Sequence, residues 1–111
     1  MVNYTKRVDG IQVRDCVWIG SPPPNKIMYD VVKWETRPTP TIVTNARTGQ
    51  LEYSFESCYS LAHLIWNPNE LDFEFEGVGT RWLKEAPGKE VCDMLLKFCE
   101  EVGKNLREST L

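Results

Sequence analysis

The most regular charged pattern in this chain is a row of alternating carboxylates, Glu70, Asp72, Glu74 and Glu76, interleaved with Leu71, Phe73 and Phe75. In an extended strand a period of two sends every charge to one face and every apolar group to the other. Such a face can hold a basic protein surface by complementary charge, or imitate the spacing of nucleic acid phosphates. The same pattern also serves as a solvated outer face that keeps an exposed strand from aggregating. Glu52 and Glu56 would join this field if the segment Leu51 to Phe55 is the neighbouring strand.

A second chemistry is offered by Gly77-Val78-Gly79-Thr80-Arg81. Glycines permit close backbone approach to a ligand, and Arg81 could pair with a phosphate, with His63 as a further pocket residue. The run lacks the third glycine or the lysine of nucleotide-binding fingerprints and is not expected to lead directly into a helix. A β-bulge or sharp bend is the simpler expectation.

Catalytic groups are scarce. His63 is the single histidine, and no serine or cysteine motif of an activated nucleophile surrounds it. Cys58, His63, Cys92 and Cys99 could supply three thiolates and an imidazole to zinc, but their spacings are not the close pairs of structural sites, and Cys92 and Cys99 fall on an apolar stripe. Core packing is the expectation, with no metal and no cofactor. The four cysteines are read as reduced thiols, because a chain of 111 residues has core enough to fold without staples and shows no export signal. Among the tryptophans, Trp18 is the expected contact residue, since it adjoins the exposed Pro22 to Pro24 loop.

The elements that must position these groups follow from periodicity. Val2, Tyr4, Val8, Ile11 and Val13 alternate around Asp9-Gly10, a hairpin signal, and the second strand continues to Ile19. Ile27 to Trp34 is apolar on both alternating faces, as in a covered strand, with a helix capped by Asn25 as the competing reading. Arg37-Pro38-Thr39-Pro40 should then break regular structure. Thr41 to Thr44 and Gln50 to Phe55 flank a loop closed by Gly49, with Leu51, Tyr53 and Phe55 on one side and Glu52, Ser54 and Glu56 on the other.

Cys58, Leu61, Ala62 and Ile65 are spaced as one face of a short helix starting at Ser57 and stopped by Asn67-Pro68-Asn69. Pro87 suits a first helical turn, and Val91, Leu95, Phe98, Cys99, Val102 and Leu106 form the apolar stripe of a C-terminal helix. Gly103 interrupts that stripe, so the ordered helix should end there and leave residues 104–111 frayed. The fold class expected is α+β: one domain over residues 1–111, a mostly antiparallel sheet of about five strands against one C-terminal amphipathic helix, and a second short helix.

A net charge of −3 repels phosphates and anionic lipid surfaces, and no apolar run reaches the length of a membrane span. Nucleic acid and membrane are therefore demoted as partners, and a cytoplasmic location is expected. The small size and motif poverty give the chain the general look of a phage or mobile-element accessory protein. The function expected is a non-enzymatic interaction module, inhibitor or adaptor, whose face of Glu70, Asp72, Glu74 and Glu76, with Glu52 and Trp18, meets a basic partner. The alternative is a small-ligand or nucleotide binder using Gly77, Gly79, Thr80, Arg81 and His63.

Overall fold

The computed structural model describes residues 6–16 and 26–109. Val2, Tyr4, Trp18, the strand extension to Ile19 and the proline loop lie outside them. Four antiparallel strands follow one another in a simple meander: β1 (Ile11–Asp15), β2 (Met28–Thr44), β3 (Leu51–Asn67) and β4 (Asp72–Gly77). A short helix, α1 (Arg81–Glu85), leads to a long one, α2 (Lys89–Ser109). The fold is α+β, with four strands where about five were expected. Two pairs of expected segments are single strands of 17 residues.

The first turn is built as the residues suggest. Asp9 and Gly10 both take positive φ, 51° and 78°, and Val8 bridges Ile11. This left-handed pair gives a two-residue turn whose twist matches the strands.

The largest departure lies in β3. Residues 57–67 form the central strand, paired with β2 on one side and β4 on the other, and no helix is present there. A bulge explains the helical look of the sequence: Val31 pairs with Ala62 and Val32 with Ser60, so Leu61 is an extra residue. Leu61 and Ala62 are consecutive yet both buried, and the period of two changes phase between them.

The Arg37 to Pro40 segment departs from expectation in a subtler way. The chain stays extended, but the ladder loses register between Thr36 and Thr41. Proline fits an extended backbone and only lacks the donor for a ladder bond, so pairing lapses while the strand continues.

Helix α2 lays Val91, Leu95 and Phe98 against Ile11, Val13, Val31, Leu61, Ala62 and Leu64 of the sheet. Tyr29 and Phe73 meet Phe98 with ring centroids 5.0 and 6.1 Å apart. Gly103 does not end this helix, which runs on to Ser109 with Gly103 buried inside it. A Cβ there would lie at an ordinary 3.6 Å from the Trp66 ring and 3.2 Å from Arg107 Nη1, so the helix passes the tryptophan with no room for a side chain much larger than a methyl.

The two hairpin loops of the meander share one construction. Asn45 Oδ1 accepts the backbone N–H groups of Arg47 and Thr48, and Asn67 Oδ1 accepts those of Asn69 and Glu70. Each asparagine also donates Nδ2 to a glutamate seven residues on, Glu52 and Glu74, both at 2.8 Å. The fifth loop residue is left-handed in both: Gly49 at φ 74° and Leu71 at φ 54°.

Candidate functional site

Strand β4 is an edge strand and carries the alternation as drawn from its residues. Its register with β3 sets Phe73 opposite Trp66 and Phe75 opposite Leu64 on the helix-facing side, and Asp72, Glu74 and Glu76 opposite Asn67, Ile65 and His63 on the outer side. The three carboxylates are exposed. Glu70 is not on this strand; it lies in the preceding turn. Among the described residues none of the four forms an ion pair with lysine or arginine.

Two of the acids also have local structural roles. Asp72 Oδ1 accepts the Phe73 N–H at 2.8 Å, which covers one donor of the sheet edge, and Glu74 braces Asn67.

Glu52 does not belong to this field. The partner of β4 on β3 is Ala62 to Asn67, and not Leu51 to Phe55. Ten residues of extended chain separate Glu52 from Ala62, roughly 30 Å at the rise of a strand. Trp18 is outside the described residues.

On the other side of β4 an apolar groove of about 470 Å³ opens between the strand, α1 and α2. Its walls include Phe73, Phe75, Trp82, Leu95 and Leu96, with Asp72 at its rim. Trp82 meets the edge of Phe75 at 5.0 Å. Leu96 and Leu83 stand 69% and 77% exposed, so large apolar surface continues outside the groove. The sequence pattern placed Phe75 in the core, yet it is exposed at the groove, because α2 reaches only part of the edge strand. One narrow strip thus offers carboxylates on one flank and oily surface on the other.

The residues of the alternative site do not converge on a common point. The bend does lead straight into a helix, contrary to expectation, with Gly79 at φ 56° and Thr80 just ahead of Arg81. The helix has only five residues, and the N–H groups of Val78 and Arg81 are already bonded to the carbonyls of Leu61 and Val78. Arg81 turns back onto β3, donating Nη1 to the Ser60 carbonyl at 3.2 Å. What is left of a phosphate cradle is a turn whose Val78 and Arg81 N–H groups are spent on backbone carbonyls.

His63 sits elsewhere, in a polar row that crosses the outer face of the sheet: Arg14, Asp30, His63 and Glu76 are successive cross-strand partners. His63 Nε2 is 2.9 Å from Asp30 Oδ1, and Asp30 is the one buried charged residue of the described core. Cys16 also bonds to Asp30; burial first, then the Asp30 charge and that hydrogen bond, hold its thiol protonated above the ordinary range. A thiol kept neutral and bonded to the carboxylate is the reverse of an activated nucleophile. All four cysteines are free thiols, and no cluster of three or more His, Cys, Asp or Glu suited to a metal lies among the described residues. No helix there is long and apolar enough to cross a membrane.

A feature that pattern reading did not single out is the far end of the β2–β3 hairpin. Strands β1 and β4 pair only near the helices, so beyond Thr36 and Glu56 the two long strands run on alone as a ribbon. Ile42 pairs with Tyr53 and Thr44 with Leu51 on one face of it, and Val43 pairs with Glu52 and Thr41 with Ser54 on the other. Among the described residues nothing covers the apolar face. Period two had set Leu51, Tyr53 and Phe55 on one side of the strand, and that side is the exposed one.

No protein-family model, curated protein or solved structure matches this chain.

Proposed function

We propose that this protein is a non-enzymatic interaction module, an inhibitor or adaptor, that grips a basic amphipathic segment of another protein along strand β4. The observation that carries the reading is the double character of that strip: Asp72, Glu74 and Glu76, in no ion pair with lysine or arginine among the described residues, on one flank, and the Phe73, Phe75, Trp82 and Leu96 groove on the other. Uncompensated carboxylates steer a cationic partner, and burial of the groove supplies the affinity that rim charges alone do not. Leu71 supports this: a leucine held at φ 54°, where glycine sits in the sister loop, is a strained and half-open apolar residue at the start of the strip. The raised thiol of Cys16, the Arg81 bond to the Ser60 carbonyl and the placing of His63 in the polar row apart from the glycine bend all favour partner binding over catalysis.

The test uses a fluorescent peptide of alternating lysine and leucine pairs as the probe. Binding should weaken steeply between low and physiological salt, and the variant carrying Asp72→Lys, Glu74→Lys and Glu76→Lys should lose it while keeping its circular dichroism. Equal affinity in wild type and variant rules out the acidic flank as the docking surface.

A further inference from the structure

We infer that the β2–β3 ribbon is a self-association element, through which two copies of this chain pack face to face about a two-fold axis. This goes beyond the docking strip on β4 and uses none of its residues.

The face in question is made of Ile42, Leu51 and Tyr53, which are 63%, 72% and 74% exposed, with Phe55 at its base at 51%. A two-stranded ribbon is marginal in water by itself, and one with a bare apolar face gains most by covering it. With large side chains presenting roughly 150–250 Å² each, the exposed part of this face is on the order of 500 Å² per copy. Two copies bury about 1,000 Å² of side-chain surface, the lower end of the range for a biological interface and the size of a reversible dimer.

Each edge of the ribbon is blocked to an added strand at its base, while the face is open along its length. On β2, Pro38 and Pro40 lack the donors that an added strand would need, in the stretch where the ladder has already lost register. On β3, Ser54 Oγ donates to the Glu56 carbonyl at 3.1 Å and accepts the Glu56 N–H at 3.3 Å, so that residue's backbone groups are used within the strand. Strand addition is therefore disfavoured at the base of the ribbon, and the side chains of the open face offer the larger surface for association.

Charge selects a second copy as the occupant. The chain carries −3 overall, and its β4 strip would repel another copy. The ribbon carries little net charge: Glu56 is paired with Arg7 at 2.9 Å, and Arg37 and Arg47 stand with Glu52. Its apolar face bears no charge, Glu52 projecting from the opposite face. Two ribbons can thus meet without net repulsion, and a two-fold contact uses the same patch on both copies and so closes at a dimer.

Light scattering after size exclusion, on the full chain at about 10⁻⁴ M, reads the outcome directly. Wild type should have twice the 12.8 kDa mass of one chain, and Tyr53→Glu should return it to that mass with unchanged circular dichroism. If Tyr53→Glu does not fold, Leu51→Ser serves instead and should weaken the dimer about tenfold or more, since each copy loses a buried leucine. Glu74→Lys, on the other surface, should leave the mass at two chains, which keeps this test separate from that of the docking strip. A wild-type chain that stays monomeric, leaving the face for a different protein, or a dimer indifferent to Tyr53 and Leu51, overturns the inference.

Discussion

Replacing Gly103 by alanine distinguishes a helix that ends at this residue from one that passes through it. In a helix interior alanine is better than glycine by about 0.8–1.0 kcal/mol. Against this stands one tight contact: the new Cβ would lie 3.2 Å from Arg107 Nη1 and at an ordinary 3.6 Å from Trp66 Cζ3. The arginine end is flexible and can move, at the cost of its 3.2 Å bond to the Leu71 carbonyl, about 0.5–1 kcal/mol for an exposed bond. The net effect of Gly103→Ala is therefore between zero and about 0.5 kcal/mol of stabilisation. A glycine closing the helix in the left-handed conformation would give the opposite sign, a loss of about 1 kcal/mol or more. Urea unfolding followed by tryptophan fluorescence, with the denaturant slope unchanged, measures the difference. A loss above about 1 kcal/mol refutes the continuous helix. Gly103→Leu carries the argument further, because its longer side chain meets the Trp66 ring and should cost about 1–3 kcal/mol by overpacking.

Two further perturbations test the groove and the loop. Burial, and then the Asp72 charge, push the Cys99 thiol up to about 11; at pH 8 its alkylation, read by peptide mass spectrometry, should run about 100-fold slower than that of a model thiol, and an ordinary rate contradicts the packing drawn here. The sign for stability follows: the unfolded thiol ionises first, so stability attributable to Cys99 is complete below about pH 9 and falls as pH rises toward 11, and Cys99→Ala should flatten that slope. Leu71→Gly relieves a left-handed leucine worth about 1–2 kcal/mol but adds backbone freedom to the unfolded chain, so melting should rise by a few degrees while peptide affinity falls. A drop in melting temperature shows that Leu71 is held by packing.

Much of the fold was legible because its periodicities are strict. Leu71 to Glu76 alternates without exception, and the Val91 to Leu106 stripe repeats over about four turns, so strand β4 and helix α2 follow from side-chain direction alone. Strand β3 was obscured by a single residue: Leu61 bulges, the alternation slips, and the positions 58, 61, 62 and 65 come to resemble a helix face. Prolines 38 and 40 were read as breakers, since nothing local shows that the chain there needs no ladder donors. Gly103 is a matter of distance to Trp66, which no spacing encodes.

The site was legible to the same extent. The alternation of Asp72, Glu74 and Glu76 is a local property and is found on one face of β4, whereas Glu70 falls in the turn before it. Glu52 was misplaced because strand pairing is a long-range choice, and the neighbour of β4 proved to be the other half of β3. The groove and the bare ribbon are both defined by where α2 stops, a tertiary fact. Asp30 was overlooked for a similar reason: a lone acid inside an apolar run gains meaning only when His63 arrives on the adjacent strand.

The central claim, that strand β4 is the docking strip, is tested most directly by mapping amide chemical shifts of the labelled protein as the lysine–leucine peptide is added. The account predicts that changes concentrate in residues 70–77, in Trp82 and along the Leu95 to Cys99 face of α2, leaving the ribbon of residues 41–55 untouched. Changes centred on that ribbon, or on the Gly77 to Arg81 bend alone, would contradict it.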